Sequence, residues 1–184
     1  MKKVFLLLIF SNFIFSELVL EITEGTEDPY RVAILPFKGD EKLSSELENI
    51  IINNLKRSGE FYVFQASDLL SIPVNEENIV FNDFKILNVD YLVMGNINNG
   101  DVVYEVYDIR KRSKVRSSTV FGIPNKNRQL AHYISDGIYE EITGIPGISS
   151  TKILYVTQED KYRLMVADAD GENEQILLES EEPI

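Results

Sequence analysis

Hydrophobic and polar positions follow two different periods in the first half of this chain. Residues 31–37 (Arg-Val-Ala-Ile-Leu-Pro-Phe) form a nearly continuous apolar run, which is typical of a strand buried on both faces. From residue 47 to 55 the apolar positions recur at helical spacing, and Ser45 and Glu48 are placed as a capping box. Residues 61–64 return to a strand pattern. This order of strand, helix and strand predicts a parallel pair joined by a crossover.

Turn residues organise the middle of the chain. A loop-rich stretch with Pro73 leads into a weak helical pattern, and Asn98-Asn99-Gly100-Asp101 is a strong hairpin signal. A second hairpin turn is predicted at residues 110–114. The pattern predicts a helix at 81–87 and strands at 91–97, 102–108 and 115–121.

The clearest helix precedes a cluster of glycine and proline. Isoleucine or leucine occupies every fourth position from 130 to 142, and Asn125 or Asn127 is placed to cap the start. A glycine ends the pattern and a proline prevents its resumption. We interpret this cluster as an interdomain hinge, formed by Gly144, Pro146 and Gly147.

The pattern changes after this hinge. Residues 151–158, 162–168 and 174–180 alternate as short strands joined by tight turns, which predicts a three-strand meander. We therefore predict an α/β domain over 30–147, with a mixed β-sheet and about three helices that cover one face. A second architecture is predicted to begin at 148.

The amino terminus has the pattern of an export signal. Lys2 and Lys3 precede the apolar residues 4–15, and Ser16 offers a small residue at a plausible cleavage point. The apolar block is shorter than the roughly 20 residues that a membrane-spanning helix needs. We predict that residues 1–16 are a cleavable signal peptide, and that the protein is not an integral membrane protein.

An extended arm is predicted over 17–29. Leu18, Leu20 and Ile22 alternate with more polar residues, as in a strand with one apolar face, and a polar stretch with Gly25 follows. Such an arm can add a strand to the sheet of a partner, or it can be the first strand of its own domain. The predicted partner-binding residues are Glu17, Leu18, Val19, Leu20, Glu21, Ile22, Thr23, Glu24 and Gly25.

Composition narrows the classes of partner. The chain has no cysteine and a formal net charge of −12. Without Lys2 and Lys3, 18 − 2 = 16 basic residues face 30 acidic ones, which gives −14. A surface this acidic repels nucleic acid, so none is expected as a partner. We predict a solvated loop or a partner contact for the basic run Arg110, Lys111, Arg112, Lys114 and Arg116.

Groups able to do chemistry are scarce. His132 is the single histidine, and no nucleophile elbow accompanies it. Asp136 and Glu140 share a helix face that we expect to be solvated. Residues 168–173 (Asp-Ala-Asp-Gly-Glu-Asn) resemble a calcium loop, but a turn between strands explains them better. We therefore expect no enzyme activity, no cofactor and no metal.

Several separated segments together resemble one protein family. They are residues 31–37, 54–61, 89–95, 136–147 (Asp-Gly-Ile-Tyr-Glu-Glu-Ile-Thr-Gly-Ile-Pro-Gly) and 151–156 (Thr-Lys-Ile-Leu-Tyr-Val). In this order they are similar to the TolB family of Tol-Pal system proteins. The resemblance extends over the whole chain after the signal.

The resemblance implies a periplasmic, non-enzymatic adaptor of the cell envelope. Its α/β domain would carry an arm that binds the inner-membrane protein TolA, and a six-bladed β-propeller would bind the lipoprotein Pal. Residues 148–184 would be the start of that propeller, so we expect it to be incomplete and Pal binding to require its remainder. A different hypothesis is an exported α/β module that binds a small ligand.

Overall fold

A computed structural model describes residues 28–184 of the chain. The predicted signal peptide and nearly all of the predicted arm lie outside these residues. The described part contains two single turns of 3₁₀ helix, at Ala66–Asp68 and Glu76–Asn78. Its main elements are β1 (Tyr30–Ile34), α1 (Glu41–Arg57), β2 (Phe61–Phe64), α2 (Phe81–Ile86), β3 (Tyr91–Asn98), β4 (Asp101–Asp108), β5 (Ser113–Val120), α3 (Asn127–Thr143), β6 (Lys152–Gln158), β7 (Tyr162–Asp168) and β8 (Gln175–Ser180).

The first five strands form one mixed sheet in the order β2-β1-β3-β4-β5. β1 is parallel to both β2 and β3, so the predicted unit of strand, helix and parallel strand is confirmed. β3, β4 and β5 are antiparallel neighbours. The turn between β3 and β4 has positive φ at Asn99 and Gly100, as a two-residue hairpin turn requires. The predicted mixed α/β fold with three helices is therefore confirmed.

The helices cover both faces of this sheet, and the prediction that they cover one face is wrong for α2. Side chains of α1 and α3 pack with Val32 and Ile34 of β1 in one apolar cluster. Phe84 of α2 packs with Ala33 and Leu35 of the same strand in a second cluster. Because alternate residues of a strand point to opposite faces, α2 must cover the other side. An uninterrupted apolar strand such as β1 requires this two-sided cover.

Two predicted helix starts are also wrong. α1 begins at Glu41, and Asp40 caps it by accepting a hydrogen bond from the Leu43 amide at 2.8 Å. Ser45 lies in the second turn and cannot be the cap. α3 begins at Asn127 after Lys126, with no side-chain cap. Its predicted end is confirmed, because Gly144 has φ of 75° and its amide donates to the Glu140 carbonyl.

The last three strands form a separate antiparallel sheet in the order β6-β7-β8, as the meander prediction requires. Leu154 of β6 and Leu177 of β8 are more than half exposed, and so is Ile176, the neighbour of Leu177. Successive strand residues point to opposite faces, so this sheet exposes apolar side chains on both sides. By contrast, Ala167 and Asp168 at the end of β7 are buried. The sheet therefore contacts the rest of the molecule at one corner.

Candidate functional site at the junction of the two sheets

Three charged or polar side chains of α3 lie at the place where the second sheet meets the first domain. Arg128, His132 and Asp136 are spaced four residues apart, so they occupy successive turns of one helix face. They contact the turn 168–173 between β7 and β8 and the segment 148–150 before β6. We call this set of contacts the junction.

Carboxylates of the turn pair with cations from both sides of the junction. Arg128 of α3 pairs with Asp170, and Lys152 of β6 pairs with Asp168. The Asn173 amide also donates to Asp168. Burial disfavours the ionised form of Asp168, yet the donors Lys152 and Asn173 outweigh it and hold the pKa of Asp168 below its usual range. The turn is therefore docked on α3 by compensated charges.

His132 is almost completely buried, with 3% of its surface exposed. Its Nδ1 lies 2.9 Å from the Asn54 Nδ2 of α1, and the same Asn54 nitrogen donates to the Ser135 hydroxyl at 3.0 Å. Arg57 donates to the Asn54 Oδ1 at 3.0 Å, which fixes the orientation of the amide. Burial lowers the pKa of His132, while nearby Asp170 opposes that effect. The ring is therefore neutral at neutral pH.

The tautomer of His132 follows from these contacts. Nδ1 faces an N–H donor, so it must carry the lone pair, and the proton of the neutral ring is on Nε2. Nε2 lies 3.6 Å from the Asp170 Oδ2 and makes no hydrogen bond within the usual limits. The Nε2–H of His132 therefore points at the Asp170 carboxylate but is too far from it for a hydrogen bond.

One atom each of His132, Asp168 and Asp170 lie within 4.8 Å of one another, which resembles a metal site. The chemistry of the donors does not fit one. A metal ion binds the lone pair of an imidazole nitrogen, whereas Nε2 carries the proton here. Arg128 and Lys152 already neutralise the two carboxylates. The group is better described as an ion-pair network than as a ligand set.

Asp136 corrects the expectation of a solvated helix face. Its carboxylate accepts hydrogen bonds from the backbone amides of Ser149 at 2.6 Å and Ser150 at 2.9 Å. A Cβ on Gly147 would lie 2.5 Å from the Asp136 Cα, so the chain passes too close for a side chain there. Glu140, which shares this helix face, is exposed. The two carboxylates therefore have unrelated surroundings.

An open cleft of about 930 Å³ runs beside the junction. Side chains from α3, β6 and the turn line it, among them Gln129, Lys152 and Asn173. Several of its polar groups already bind each other, because Asn173 and Lys152 donate to Asp168 and Asn127 donates to Glu46. The hypothesis of a small-ligand module predicts a pocket with convergent free groups, and this cleft offers few of them.

The structure describes some of the predicted site residues but not others. The arm residues Glu17 to Gly25 lie outside the described part. Gly144 ends α3 and Gly147 lies against Asp136, so these two residues stand where the chain enters the junction; their role as a hinge stays a prediction. The sequence did not indicate Arg128, Asp168 or Asp170 as a contact. The polar stripe opposite the apolar face of α3 was the available signal.

Four of the five residues of the basic run pair with carboxylates within the molecule. Arg110 pairs with Asp90, Lys111 with Asp108, and Arg116 with Glu141. Lys114 lies 2.8 Å from carboxylate oxygens of both Glu76 and Glu105. These intramolecular pairs occupy side chains that the sequence led us to expect in a solvated loop or in a partner contact.

Known proteins similar to this one match nearly the whole chain. The model of the TolB amino-terminal domain family matches residues 18–115. The Tol-Pal system protein TolB of Alcanivorax borkumensis is 38% identical over 92% of this chain, and that of Marinomonas sp. is 37% identical over 100%. The chain covers 41% and 46% of these two relatives, so it spans less than half of their length. Their names describe a system component and no catalytic activity.

A solved structure gives the same result. The crystal structure of TolB from Acinetobacter baumannii superposes with a TM-score of 0.74 and 31% identity over 89% of this chain and 42% of that one. This share is larger than the part of the chain before β6, so the match includes residues of the three-stranded sheet. Among residues 28–184, no helix has the length and apolar character needed to cross a membrane. The chain belongs to the TolB family of Tol-Pal system proteins.

Proposed function

We propose that this chain is a periplasmic, non-enzymatic adaptor of the Tol-Pal cell-envelope system. Its arm, residues 17–29, binds a TolA-like inner-membrane protein by adding a strand to the partner's sheet. In this role it supports outer-membrane integrity and constriction during cell division. The signal peptide at 1–16 directs it to the periplasm.

The family match carries this proposal, because it runs from residue 18 to 115 and so includes nearly all of the arm together with the α/β domain as far as the start of β5. The described fold is compatible with an arm that acts separately. β1 begins at Tyr30, and its two sheet neighbours are β2 and β3, so both of its edges are already paired within 28–184. An arm that adds a strand must therefore do so elsewhere, either on a partner or at an edge of a sheet.

Deletion of residues 17–23 tests the proposal. Binding to a TolA-like protein should be lost, as measured by isothermal titration calorimetry. The urea midpoint of unfolding should stay unchanged, because the deleted residues precede β1. Unchanged affinity after the deletion would refute binding through the arm.

A matched pair of variants tests the mode of binding. Serine at Leu18, Leu20 and Ile22 removes the apolar face of the arm, whereas serine at Val19, Glu21 and Thr23 alters the opposite face. In strand addition the backbone supplies hydrogen bonds and alternate side chains supply the anchors. The first variant should therefore weaken binding much more than the second. Equal losses would contradict a strand with one anchoring face.

Binding of a Pal-like lipoprotein belongs to a separate proposal. The family resemblance assigns it to a complete propeller, of which residues 148–184 would form the start. A polypeptide limited to residues 1–184 tests this assignment, because it should bind a TolA-like protein and show no measurable affinity for a Pal-like one. A complex of this chain with a Pal-like protein would show that the first strands suffice.

A further inference from the structure

We propose that protonation of His132 switches the contact of its ring from helix α1 to the turn 168–173. The neutral ring accepts a hydrogen bond from Asn54 of α1. The protonated ring releases Asn54 and pairs with Asp170 of the turn. The junction between the two sheets thereby depends on pH, a property that goes beyond the adaptor function.

Asn54 cannot adapt to a charged His132 ring without losing other contacts. Protonation of neutral His132 places the new proton on Nδ1, which lies 2.9 Å from the Asn54 Nδ2. Two N–H donors then face each other. Rotating the Asn54 amide would relieve this clash, but its nitrogen would then face the Arg57 donor. Its oxygen could bind the Ser135 hydroxyl only if that hydroxyl gave up its bond to the Ala131 carbonyl. The contact between α1 and α3 must therefore loosen at this point.

The charged His132 ring faces a carboxylate on the side opposite Asn54. Nε2–H points toward the Asp170 Oδ2 at 3.6 Å, and the Asp170 side chain is only 9% exposed. A short movement of the ring converts this contact into a charge-assisted hydrogen bond, which is about twice as strong as a neutral one. Protonation of His132 thus both weakens its contact with α1 and strengthens its contact with the turn.

All the elements packed around the ring contribute charge. α1 supplies Arg57, α3 supplies Arg128 and Asp136, and β6 supplies Lys152. The turn supplies two carboxylates. Asp170, Asp168 and Asp136 favour the charged ring, whereas burial and Arg128 disfavour it. The balance leaves the pKa of His132 below its usual value, so the switch operates on the acidic side of neutrality.

The single histidine makes the test direct, because the chain gives one imidazole signal in a nuclear magnetic resonance spectrum. Nitrogen-15 shifts of the full chain should show the Nε2–H tautomer at neutral pH. On acidification, the side-chain amide signals of Asn54 should move with the same midpoint as the His132 ring. An Nδ1–H tautomer at neutral pH, or Asn54 signals that ignore the titration, would overturn the proposal.

Two variants should shift the titration in opposite directions. Asp170→Asn removes the carboxylate that favours the charged ring, so the pKa of His132 should fall further. Asn54→Asp replaces the opposing donor with a carboxylate, so the pKa should rise above its ordinary value. Glu140→Gln changes an exposed carboxylate of the same helix and should leave the titration in place.

The Asp170→Asn variant tests the proposal even if Asn54→Asp does not fold. Asp170 lies in a turn and not in the core, so we expect this variant to fold. A lowered pKa in Asp170→Asn supports the pairing in the charged state. An unchanged pKa in that variant would mean that Asp170 does not hold the protonated ring, and the coupling would then be refuted.

Discussion

Gly137 lies in the middle of α3, against the hydroxyl of Tyr104 of β4. A Cβ at this position would overlap the Tyr104 hydroxyl, and Tyr104 is fully buried and has no room to move away. We predict that Gly137→Ala lowers the free energy of unfolding by about 1–3 kcal/mol, as overpacked cores do. Alanine's better helix propensity, worth about 1 kcal/mol, offsets part of this loss. Urea denaturation measures the change.

Tyr104→Phe is the matched control for this prediction, because it removes the overlapping hydroxyl and keeps the ring. The double variant should be more stable than Gly137→Ala alone, even though Tyr104→Phe by itself loses the contacts of the hydroxyl with Ser118 and Arg116. Simple addition of the two single effects would show that the hydroxyl is not what makes glycine necessary.

At the residue scale, the sequence could predict where glycine ends a helix but not which polar residues would be covered. The polar face of α3 has the pattern of a solvated face, and Glu140 is indeed exposed. Asp136 and His132 are not, because a second sheet lies over their part of the helix. The partner of His132 on α1, Asn54, is 78 residues away in sequence. Helical periodicity carries no information on such a contact.

The start of α1 offers a test between the sequence pattern and the structure. Asp40 accepts from the Leu43 amide, so Asp40→Ala should cost about 1 kcal/mol of stability. Ser45, which the pattern placed as the cap, is exposed in the second turn, so Ser45→Ala should change stability by less than about 0.5 kcal/mol. Thermal and urea unfolding of the two variants would rank them. The reverse order would place the cap at Ser45.

Asp136 accepts two backbone hydrogen bonds from the segment between α3 and β6. Asp136→Ala removes the acceptor of the Ser149 and Ser150 amides, and hydrogen bonds to a charged acceptor contribute about 1.5–3 kcal/mol each. We predict faster hydrogen exchange at these two amides, with no change in β1. Glu140→Ala is the control on the same helix. Unchanged exchange at Ser149 and Ser150 would mean that the segment is held by other contacts.

Elements with strong local signals were predictable, and those defined by their neighbours were less so. β1 and the turn at Asn99 and Gly100 follow from an apolar run and from backbone preference. The existence of α2 was indicated, but its face was not, because six residues are too few to define an apolar stripe. Its side of the sheet is decided by Phe84, which fills the space beside Leu35 and Leu92.

At the scale of the whole molecule, one helix serves two purposes. The apolar stripe of α3, with Ile134 and Ile138, completes the core of the five-stranded sheet. The polar stripe of the same helix, with Arg128 and Asp136, holds the turn and the segment before β6. The second sheet has little apolar contact with the first domain, and its Leu154 and Leu177 are exposed. Its attachment should therefore depend on the junction.

This dependence leads to a prediction for the stability of each sheet. Asp170→Ala leaves Arg128 and His132 without their carboxylate, so the three-stranded sheet should open at a lower free energy than the five-stranded one. Hydrogen exchange resolves the two sheets, and protection should fall in β6 to β8 but not in β1. Lys161→Ala removes an exposed ion pair with Glu181 in the second sheet, away from the junction, and should have little effect.

A double-mutant cycle of Arg128→Ala and Asp170→Ala measures the coupling across the junction. The two side chains are in direct contact and largely buried, so their effects on the opening of β6 to β8 should not add, with a coupling of about 1 kcal/mol. Additive effects would mean that the pair is a passive surface contact. Equal loss of protection in both sheets would mean that they unfold as one unit, and that α3 transmits the loss of the junction into the core of the first domain.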